Sequence, residues 1–395
     1  MFTSGYISYQ LSFLAFPKTG QVYTAIHSHV TIYTVNGEET DIACSDAAEE
    51  SHFGHRSCVR SNPIANKISE FGIHIHVHEI TDAPHEEMLI QQGNDLSVAI
   101  QVELLGNEYV ILNHCPMKSN CQVSITPRRD MALVEIVVPF EIQVNVTCKE
   151  SSDIRQIKAM VPISFNLSRY ETLLLETDRD LSGVRVKADK NVSVVAGSHV
   201  DEQYFIEMLQ PVNSWGVEYI VFLINSEKDS MKIVTAFDDT VLEINNMDPI
   251  VLSKAGFKYS RPMTSPHYHI KANKPIGVLY ISPDMGTMVQ IPPLYATRTS
   301  LQTVFYRSSA PLETIIAGVW TNCADSLDLT QTTFINVTPN VTLWAGAVRM
   351  NAISETGTEC EVVSGVKFFR NCSHYLESSW NVTNKFAVCK KVEKH

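Results

Sequence analysis

The 395-residue chain lacks several features that would place it in a class at once. It has no apolar run approaching the ~20 residues that a membrane helix needs, so we expect no membrane span. Its formal net charge of −12 argues against nucleic acid as a partner, because phosphates attract a basic surface. Gly/Ser-rich and Pro-rich linkers are also missing, which favours parts that pack into one body.

The motifs of common enzymes and cofactor sites are absent too. The sequence has no Gly-x-Ser-x-Gly elbow, Walker loop, dinucleotide fingerprint, Cys-x-x-Cys pair or His-Glu-x-x-His. His199, Asp201 and Glu202 offer acid–base groups, but no serine elbow accompanies them. We therefore expect neither an enzyme nor a cofactor.

Sequons indicate an extracellular glycoprotein. They occur about twice as often as composition alone would give, at Asn145, Asn166, Asn191, Asn336, Asn340, Asn371 and Asn381. The N-terminal stretch lacks the basic segment of a secretory signal. We therefore expect a secreted chain whose sequence begins after its true start.

The nine cysteines are spaced as local staples. The spacing suggests the pairs Cys44/Cys58, Cys115/Cys121, Cys372/Cys389 and Cys323/Cys360. Spacing does not fix connectivity, and it leaves the fate of Cys148 open. Disulfides agree with secretion, whereas a cytosolic protein with reduced thiols is the alternative.

Apolar and polar residues alternate with a period of two through most of the chain. Examples are "GIHIHVH" at 72–78, "LVEIVV" at 133–138 and "EYIVFLI" at 218–224. β-Branched and aromatic residues dominate these runs, and no stretch of a dozen residues shows a period of 3.6. The pattern predicts an all-β chain.

One phrase occurs twice: "VKADKNVSVVAG" at 186–197 returns as "IKANKPIGVLYI" at 270–281. We interpret each as two short strands around a charged turn, whose lysines are exposed. The alternation after each turn places Val194 and Val278 in equivalent buried positions.

Further echoes, such as "GNEYVI" at 106–111 and "GVEYIV" at 216–221, extend the repeat to three tandem β-sheet units. Such units cover their apolar faces by packing on one another. Propeller-like blades and stacked β-sandwiches both fit their size. We place the units near 1–155, 156–250 and 251–340, with a cysteine-containing C-terminal segment at 341–395.

The segment 170–221 resembles the N-terminal domain of the IgGFc-binding protein family. The shared features are Asp180-Leu-Ser-Gly183, which leads into the repeated phrase, and Gln210-Pro-Val with Trp215-Gly-x-Glu-Tyr219. The resemblance implies a non-catalytic extracellular binding module that acts in mucus, adhesion or host defence. It implies an extracellular protein or glycan as the ligand and leaves open which one.

The strand "HIHVH" is the candidate for a metal site. Alternation places His74, His76 and His78 on one face, and neutral imidazoles at this spacing can share a metal. The alternative function is therefore a metal-dependent enzyme centred on this strand. The plainer interpretation is an exposed polar face on an edge strand, with Ile73 and Ile75 facing the core.

Two further features allow competing interpretations. The stretch "DRDLSG" at 178–183 opens like a calcium loop but lacks the remaining ligands, so a turn is favoured. Trp215 is interpreted as an anchor packed between sheets rather than an exposed aromatic at a ligand surface.

Overall fold

A computed structural model gives the fold. It describes residues 6–16, 20–25, 29–33, 39–40, 55–59, 72–78, 88–92, 95–128, 131–148, 151–222, 228–245, 247–262, 264, 267–283, 286–291 and 293, and six strands between 316 and 376. These residues form strands, turns and two short 3₁₀ helices, Val102–Leu104 and Val212–Ser214. No helix among them is long and apolar enough to cross a membrane. The prediction of an all-β chain is confirmed.

The strands form three successive groups. The first is β1 Tyr6–Ser12, β2 Gly20–Ala25, β3 His29–Tyr33, β4 Glu39–Thr40, β5 His55–Val59, β6 Gly72–His78, β7 Leu89–Gln92 and β8 Asp95–Val98. The second is β9 Gly106–Val110, β10 Asn120–Pro127, β11 Ala132–Val137, β12 Ile142–Cys148, β13 Ser151–Ile157, β14 Ile163–Leu167, β15 Leu173–Thr177, β16 Arg185–Val200 and β17 Gln203–Met208. The third is β18 Gly216–Phe222, β19 Ser230–Thr235, β20 Thr240–Ile244, β21 Ile250–Leu252, β22 Lys258–Pro262, β23 His267–Ser282 and β24 Thr287–Gln290.

Six later strands pair only among themselves in the part of the chain that is described. They are β25 Ile316–Thr321, β26 Leu327–Thr330, β27 Ile335–Asn336, β28 Val341–Ala345, β29 Val366–Arg370 and β30 Tyr375–Leu376.

The three groups are copies of one β-unit, because they share one strand order. In the third unit the order is β21-β20-β23-β19-β22, and β18 and β24 also pair with β23. The second unit repeats it as β14-β11-β16-β10-β15, with β9 and β17 on β16. In the first unit the long central strand is divided into β6 and β7, so the sheet has two parts, β1-β6-β3-β4 and β5-β2-β7-β8. The predicted tandem repeat is confirmed.

The units in the sheets do not begin at the boundaries placed from sequence. Residue 155 lies within β13 and residue 250 within β21. The sheets change between β8 and β9 and again between β17 and β18. The echoed phrase lies near the end of the second and third units. As a division into domains, 1–155, 156–250, 251–340 and 341–395 stay a prediction.

The repeated phrase is not a hairpin, which corrects the interpretation of two strands around a turn. Residues 186–197 lie within β16 and residues 270–281 within β23, each a single strand of 16 residues. Where β9 pairs with β16, the register shifts between Lys187 and Val192, which marks a bulge. The charged residues thus occupy a bulge in a continuous strand.

Side chains fasten this bulge in the same way in both units. Asp189 Oδ1 accepts the N–H of Leu133 at 2.8 Å, and Asn273 Oδ1 accepts the N–H of Val241 at 2.8 Å. The next lysine donates to a backbone carbonyl in both cases, Lys190 to Met131 at 3.0 Å and Lys274 to Asp238 at 2.6 Å. Both lysines are half-buried, so the expectation of free exposed lysines is wrong.

The sheet of the second unit curls toward itself. Arg155 of β13 lies 5.4 Å from the ring centroid of Phe165 of β14, although these strands are the two ends of the nine-stranded sheet. Apolar side chains from strands across this sheet form one continuous core. That core includes Trp215, which is 8% exposed, so its predicted role as a packed anchor is confirmed.

The last hairpin of each unit meets the other two, since β17 contacts both β8 and β24 and these two also touch. Buried polar side chains join them. Asp95 accepts the N–H of Ile206 at 2.8 Å and the hydroxyl of Thr287 at 2.9 Å. Glu207 accepts the hydroxyl of Ser97 at 3.1 Å and the backbone N–H of residue 290 at 3.0 Å. The three units are therefore tied together by a shared polar centre.

Candidate binding surface

Two glycines bring the second and third units into backbone contact. A Cβ atom on Gly183 would lie 2.0 Å from Gly256 O, and one on Gly256 would lie 2.5 Å from Gly183 O. Both residues have positive φ, 94° and 85°. Any other residue would carry a Cβ atom into this contact, and positive φ angles are unfavourable for residues with a Cβ atom. We name this contact the glycine junction.

A lysine with its side chain 8% exposed joins the two units beside the glycine junction. Lys232 of β19 donates from Nζ to Asn113 O, to Asp180 Oδ2 at 2.9 Å and to Ser182 Oγ at 3.2 Å. Lys258 of β22 donates to the same Asp180 oxygen at 2.6 Å. Both lysines belong to the third unit, and their acceptors belong to the second.

The charges of this network stabilise one another. Burial opposes ionisation of Asp180, but the ammonium groups of Lys232 and Lys258 outweigh it and hold the pKa of this carboxyl well below its usual range. Burial lowers the pKa of Lys232, and Asp180 counteracts that shift. Burial and the nearby Lys232 lower the pKa of His114 to about 4, so this imidazole is neutral at physiological pH.

The network has little capacity for chemistry of its own. The ammonium of Lys232 has three acceptors and no lone pair, so in this state it is neither a base nor a nucleophile. Asp180 Oδ1 accepts the N–H of Ser182 at 2.9 Å, which forms a turn. The turn predicted at 178–183 is confirmed, and a calcium ion there would have to displace two ammonium groups.

Four exposed apolar side chains lie on segments that adjoin the glycine junction, and we name them the junction surface. They are Met160 at 53%, Val161 at 48%, Phe237 at 40% and Phe257 at 42% exposure. The first two belong to the second unit and the two phenylalanines to the third. Large exposed apolar side chains that form a patch are typical of contact sites for other molecules.

Backbone hydrogen bonds hold the junction surface in place. Thr235 accepts the N–H of Gly256 at 2.8 Å through its carbonyl and the N–H of Phe237 at 3.0 Å through its hydroxyl. On the other side, Val138 O accepts the N–H of Met160 at 2.8 Å. A fixed surface loses less conformational entropy on binding than a mobile one.

The histidine strand does not match its predicted setting. β6 lies between β1 and β3, so it is not an edge strand, and His74 is 2% exposed. The rings of His74 and Tyr170 stack at 5.7 Å. Burial, with a contribution from His76, lowers the pKa of His74 to about 3. The interpretation as an exposed polar face is wrong, because His74 is buried and His76 is half-buried.

The geometry of the histidines is that of a hydrogen bond. The Nε2 atoms of His74 and His76 lie 2.7 Å apart, so one donates to the other. Metal ligation at about 2.0 Å would require both lone pairs to point at a common third atom. Among the described side chains, no group of three His, Cys, Asp or Glu residues could hold a metal. The side chain of His78 lies outside the described residues.

The glycine junction lies in the part of the chain that matches a known protein family. Residues 95–375, more than half of the chain, match the family described as "IgGFc binding protein". The chain belongs to this family. The human IgGFc-binding protein is 22% identical over 203 residues, which cover 49% of this chain and 4% of that protein. No solved structure matches the chain.

Within the family match, the acid–base residues noted in the sequence lie at the end of β16 and in the turn that follows it. The ring of His199 packs at a tilt against Tyr204, with 4.5 Å between the ring centroids, and against Phe16, with 5.9 Å. Asp201, with φ of 50°, and the exposed Glu202 form the tight turn between β16 and β17.

One of the four disulfides suggested by cysteine spacing lies in the described part of the chain. Cys115 and Cys121 form that bond, and Cys148 lies half-buried at the end of β12. The other three pairs stay predictions, because the side chains of all six cysteines lie outside the described residues: Cys44 with Cys58, Cys323 with Cys360, and Cys372 with Cys389.

The predicted glycosylation sites fall in different environments. Asn166 is exposed on β14, whereas the Nδ2 of Asn191 donates to Leu105 O at 2.9 Å. Asn145 is half-buried on β12, where its Oδ1 accepts the hydroxyl of Ser152 at 2.7 Å. The remaining sequons lie outside the residues whose side chains are described, at Asn336, Asn340, Asn371 and Asn381.

Lys232 is the residue that sequence reasoning missed. The sequence does indicate it, because Lys232 is the one charged residue in the otherwise apolar stretch "MKIV" at 231–234. A lysine in such a strand needs a buried partner. The partner, Asp180, lies in the motif on which the family resemblance rests.

Proposed function

We propose that the chain is a non-catalytic extracellular binding module that contacts a protein ligand through the junction surface. The observation that carries this proposal is the set of four exposed apolar side chains at the glycine junction, within the region that matches the IgGFc-binding family. Secretion and a role in mucus, adhesion or host defence form part of the same proposal. The family match and the predicted sequons support them.

The chemistry of the junction surface favours a protein over a glycan. Two phenylalanines, a methionine and a valine offer apolar area to desolvate, and aromatic and methionine side chains are enriched at protein interfaces. The nearby ammonium groups of Lys232 and Lys258 are both already paired with Asp180. The ligand is therefore expected to bring an apolar patch with a polar rim.

The Fc part of immunoglobulin G is the ligand we propose, since the human relative is named for binding it. The test is the affinity of the secreted chain for purified Fc, measured by surface plasmon resonance. We expect the double variant Phe237→Ser, Phe257→Ser to weaken binding at least about tenfold, because central aromatic contacts carry much of the energy of an interface.

Leu133→Ser is the matched control. Leu133 is 42% exposed, like Phe257, but lies at the opposite end of β11 from Val138. It should bind as the unaltered chain does. Absence of Fc binding, or equal losses in both variants, would contradict the proposal. No described observation favours the metal-dependent enzyme at His74, His76 and His78, and it is not part of this proposal.

A further inference from the structure

The hairpin β12–β13 is an addition to the second unit. The third unit ends its sheet at β22, the counterpart of β15, whereas the second unit continues through β12 to β13. β13 pairs with β12 alone among the described strands. Its first six residues are exposed, and only Ile157 is buried. The outer edge of β13 therefore has no partner strand among the described residues, although Arg155 reaches across the opening of the curled sheet to Phe165 of β14.

The pairing within the hairpin determines which residues of β13 direct their backbone N–H and C=O groups outward. Cys148 pairs with Ser151 across a two-residue connection, and the closing pair of such a hairpin is of the hydrogen-bonded type. Hydrogen-bonded and non-hydrogen-bonded residue pairs alternate along two antiparallel strands, so Asp153 and Arg155 also direct their backbone N–H and C=O groups toward β12. Ser152, Ile154 and Gln156 consequently direct theirs outward.

The sequence of β13, "SSDIRQI", is complementary to itself about Ile154. If two copies of the strand pair antiparallel with this residue at the centre, Asp153 of each copy lies opposite Arg155 of the other. Ile154 lies opposite its own copy, and this side chain is 72% exposed in the single chain. The outward-directed backbone groups of Ser152, Ile154 and Gln156 then meet in register and form about six hydrogen bonds.

We infer that β13 is a self-association edge, through which two copies of this chain join their nine-stranded sheets across a twofold axis. A twofold contact requires a surface complementary to itself, and this register provides it in backbone, charge and apolar side chain. Open edges of monomers are usually blocked by proline, inward-pointing charge, bulges or lysine. β13 has no proline, lysine or bulge. Its two charged residues, Asp153 and Arg155, lie on the face of the buried Ile157, but they have opposite signs and so complement those of a second copy.

The charges of β13 fit a second copy better than an unrelated peptide. Within one chain, Arg155 and Asp153 form an ion pair at 3.5 Å with both side chains about half exposed or more, which contributes little. In the paired strands each charge gains a cross-strand partner of opposite sign as well. An unrelated extended peptide would satisfy the backbone but would match this order of charges only by chance.

The test is sedimentation equilibrium of the full secreted chain, with and without removal of N-glycans, because Asn145 lies opposite Ile154 on β12. We expect a reversible dimer. The charge reversals Asp153→Arg and Arg155→Asp each place like charges opposite one another, and should weaken it about tenfold or more. The swap of both residues together restores opposite charges and should restore the dimer.

A mixture of the two single variants separates the inferred edge from damage to the fold. One variant then presents two arginines and the other two aspartates, so a mixed dimer should form at concentrations at which each variant alone is mostly monomeric. Ile154→Pro, which removes an outward N–H, should abolish association. The inference would be overturned by a monomeric parent chain, by variants that associate as the parent does, or by no recovery in the mixture.

Discussion

Val194 and Val278 occupy the same position in successive units. The carbonyl of Val194 accepts the N–H of Leu209 at 2.8 Å, and the carbonyl of Val278 accepts the N–H of Ile291 at 2.8 Å. Both valines have no exposed surface. Met88 of the first unit makes the same bond to Ala99 at 2.8 Å. A single backbone bond thus joins the residue after the last strand of each unit to the central strand in all three units.

We predict that Val194→Asp and Val278→Asp each unfold the chain. Each change buries a carboxylate without a partner, which costs several kcal/mol against a net stability of ~5–15 kcal/mol. Circular dichroism melting checks this. Lys190→Glu is the control: it forfeits one hydrogen bond at a half-buried position, at a cost of about 1 kcal/mol. A folded Val278→Asp variant with an unchanged melting temperature would contradict the prediction that Val194 and Val278 are equivalent buried positions.

Glu207 should make stability fall as the pH rises. Burial raises its pKa well above the usual value. The folded state therefore binds the proton more tightly than the unfolded state, and this stabilisation is present at acidic pH. It is lost as the pH rises from the unfolded value, about 4.3, through the raised folded value. Glu207→Gln should flatten this part of the pH profile of chemical denaturation.

Glu202→Gln serves as the control for Glu207, since Glu202 is exposed in the turn between β16 and β17. Its pH profile should overlie that of the parent chain. If Glu207→Gln and Glu202→Gln gave the same profile, the carboxyl of Glu207 would not be the group that couples stability to pH.

Asp180 should act in the opposite direction. Its pKa is depressed, so its stabilisation is present above the unfolded value of about 3.9 and is lost as the pH falls below it. Asp180→Asn leaves Lys232 and Lys258 without a counter-charge and should cost about 3 kcal/mol at neutral pH. Urea denaturation measures this. Asp238→Asn removes an exposed partner of Lys254 and should change stability little, so equal losses would contradict the role of Asp180.

Glycan occupancy should distinguish two predicted sequons. Asn166 lies exposed on the end strand β14, and we expect it to carry a glycan. The amide nitrogen of Asn191 is engaged with Leu105 O, so occupancy there should be lower. Glycopeptide mass spectrometry of the secreted chain measures both. Full occupancy at Asn191 with none at Asn166 would reverse this expectation.

Local pattern was sufficient to predict the strands, the repeat and the burial of Val194, Val278 and Trp215. It failed at Lys190 and Lys274, because turn-forming residues there were overridden by pairing of the long strand with neighbours on both sides. The burial of His74 depends on which strands flank β6, which alternation does not reveal. The partnership of Lys232 with Asp180 spans two units and was beyond any local pattern.

Hydrogen–deuterium exchange with and without bound Fc tests the proposed junction surface most directly. If Fc docks there, protection should appear in segments 158–161, 235–237 and 255–258 together, since these carry or flank the four exposed apolar side chains. Segment 132–134, around the control residue Leu133, should exchange at the same rate in both states. Protection at 132–134 or elsewhere, with none in the three junction segments, would contradict the proposed surface.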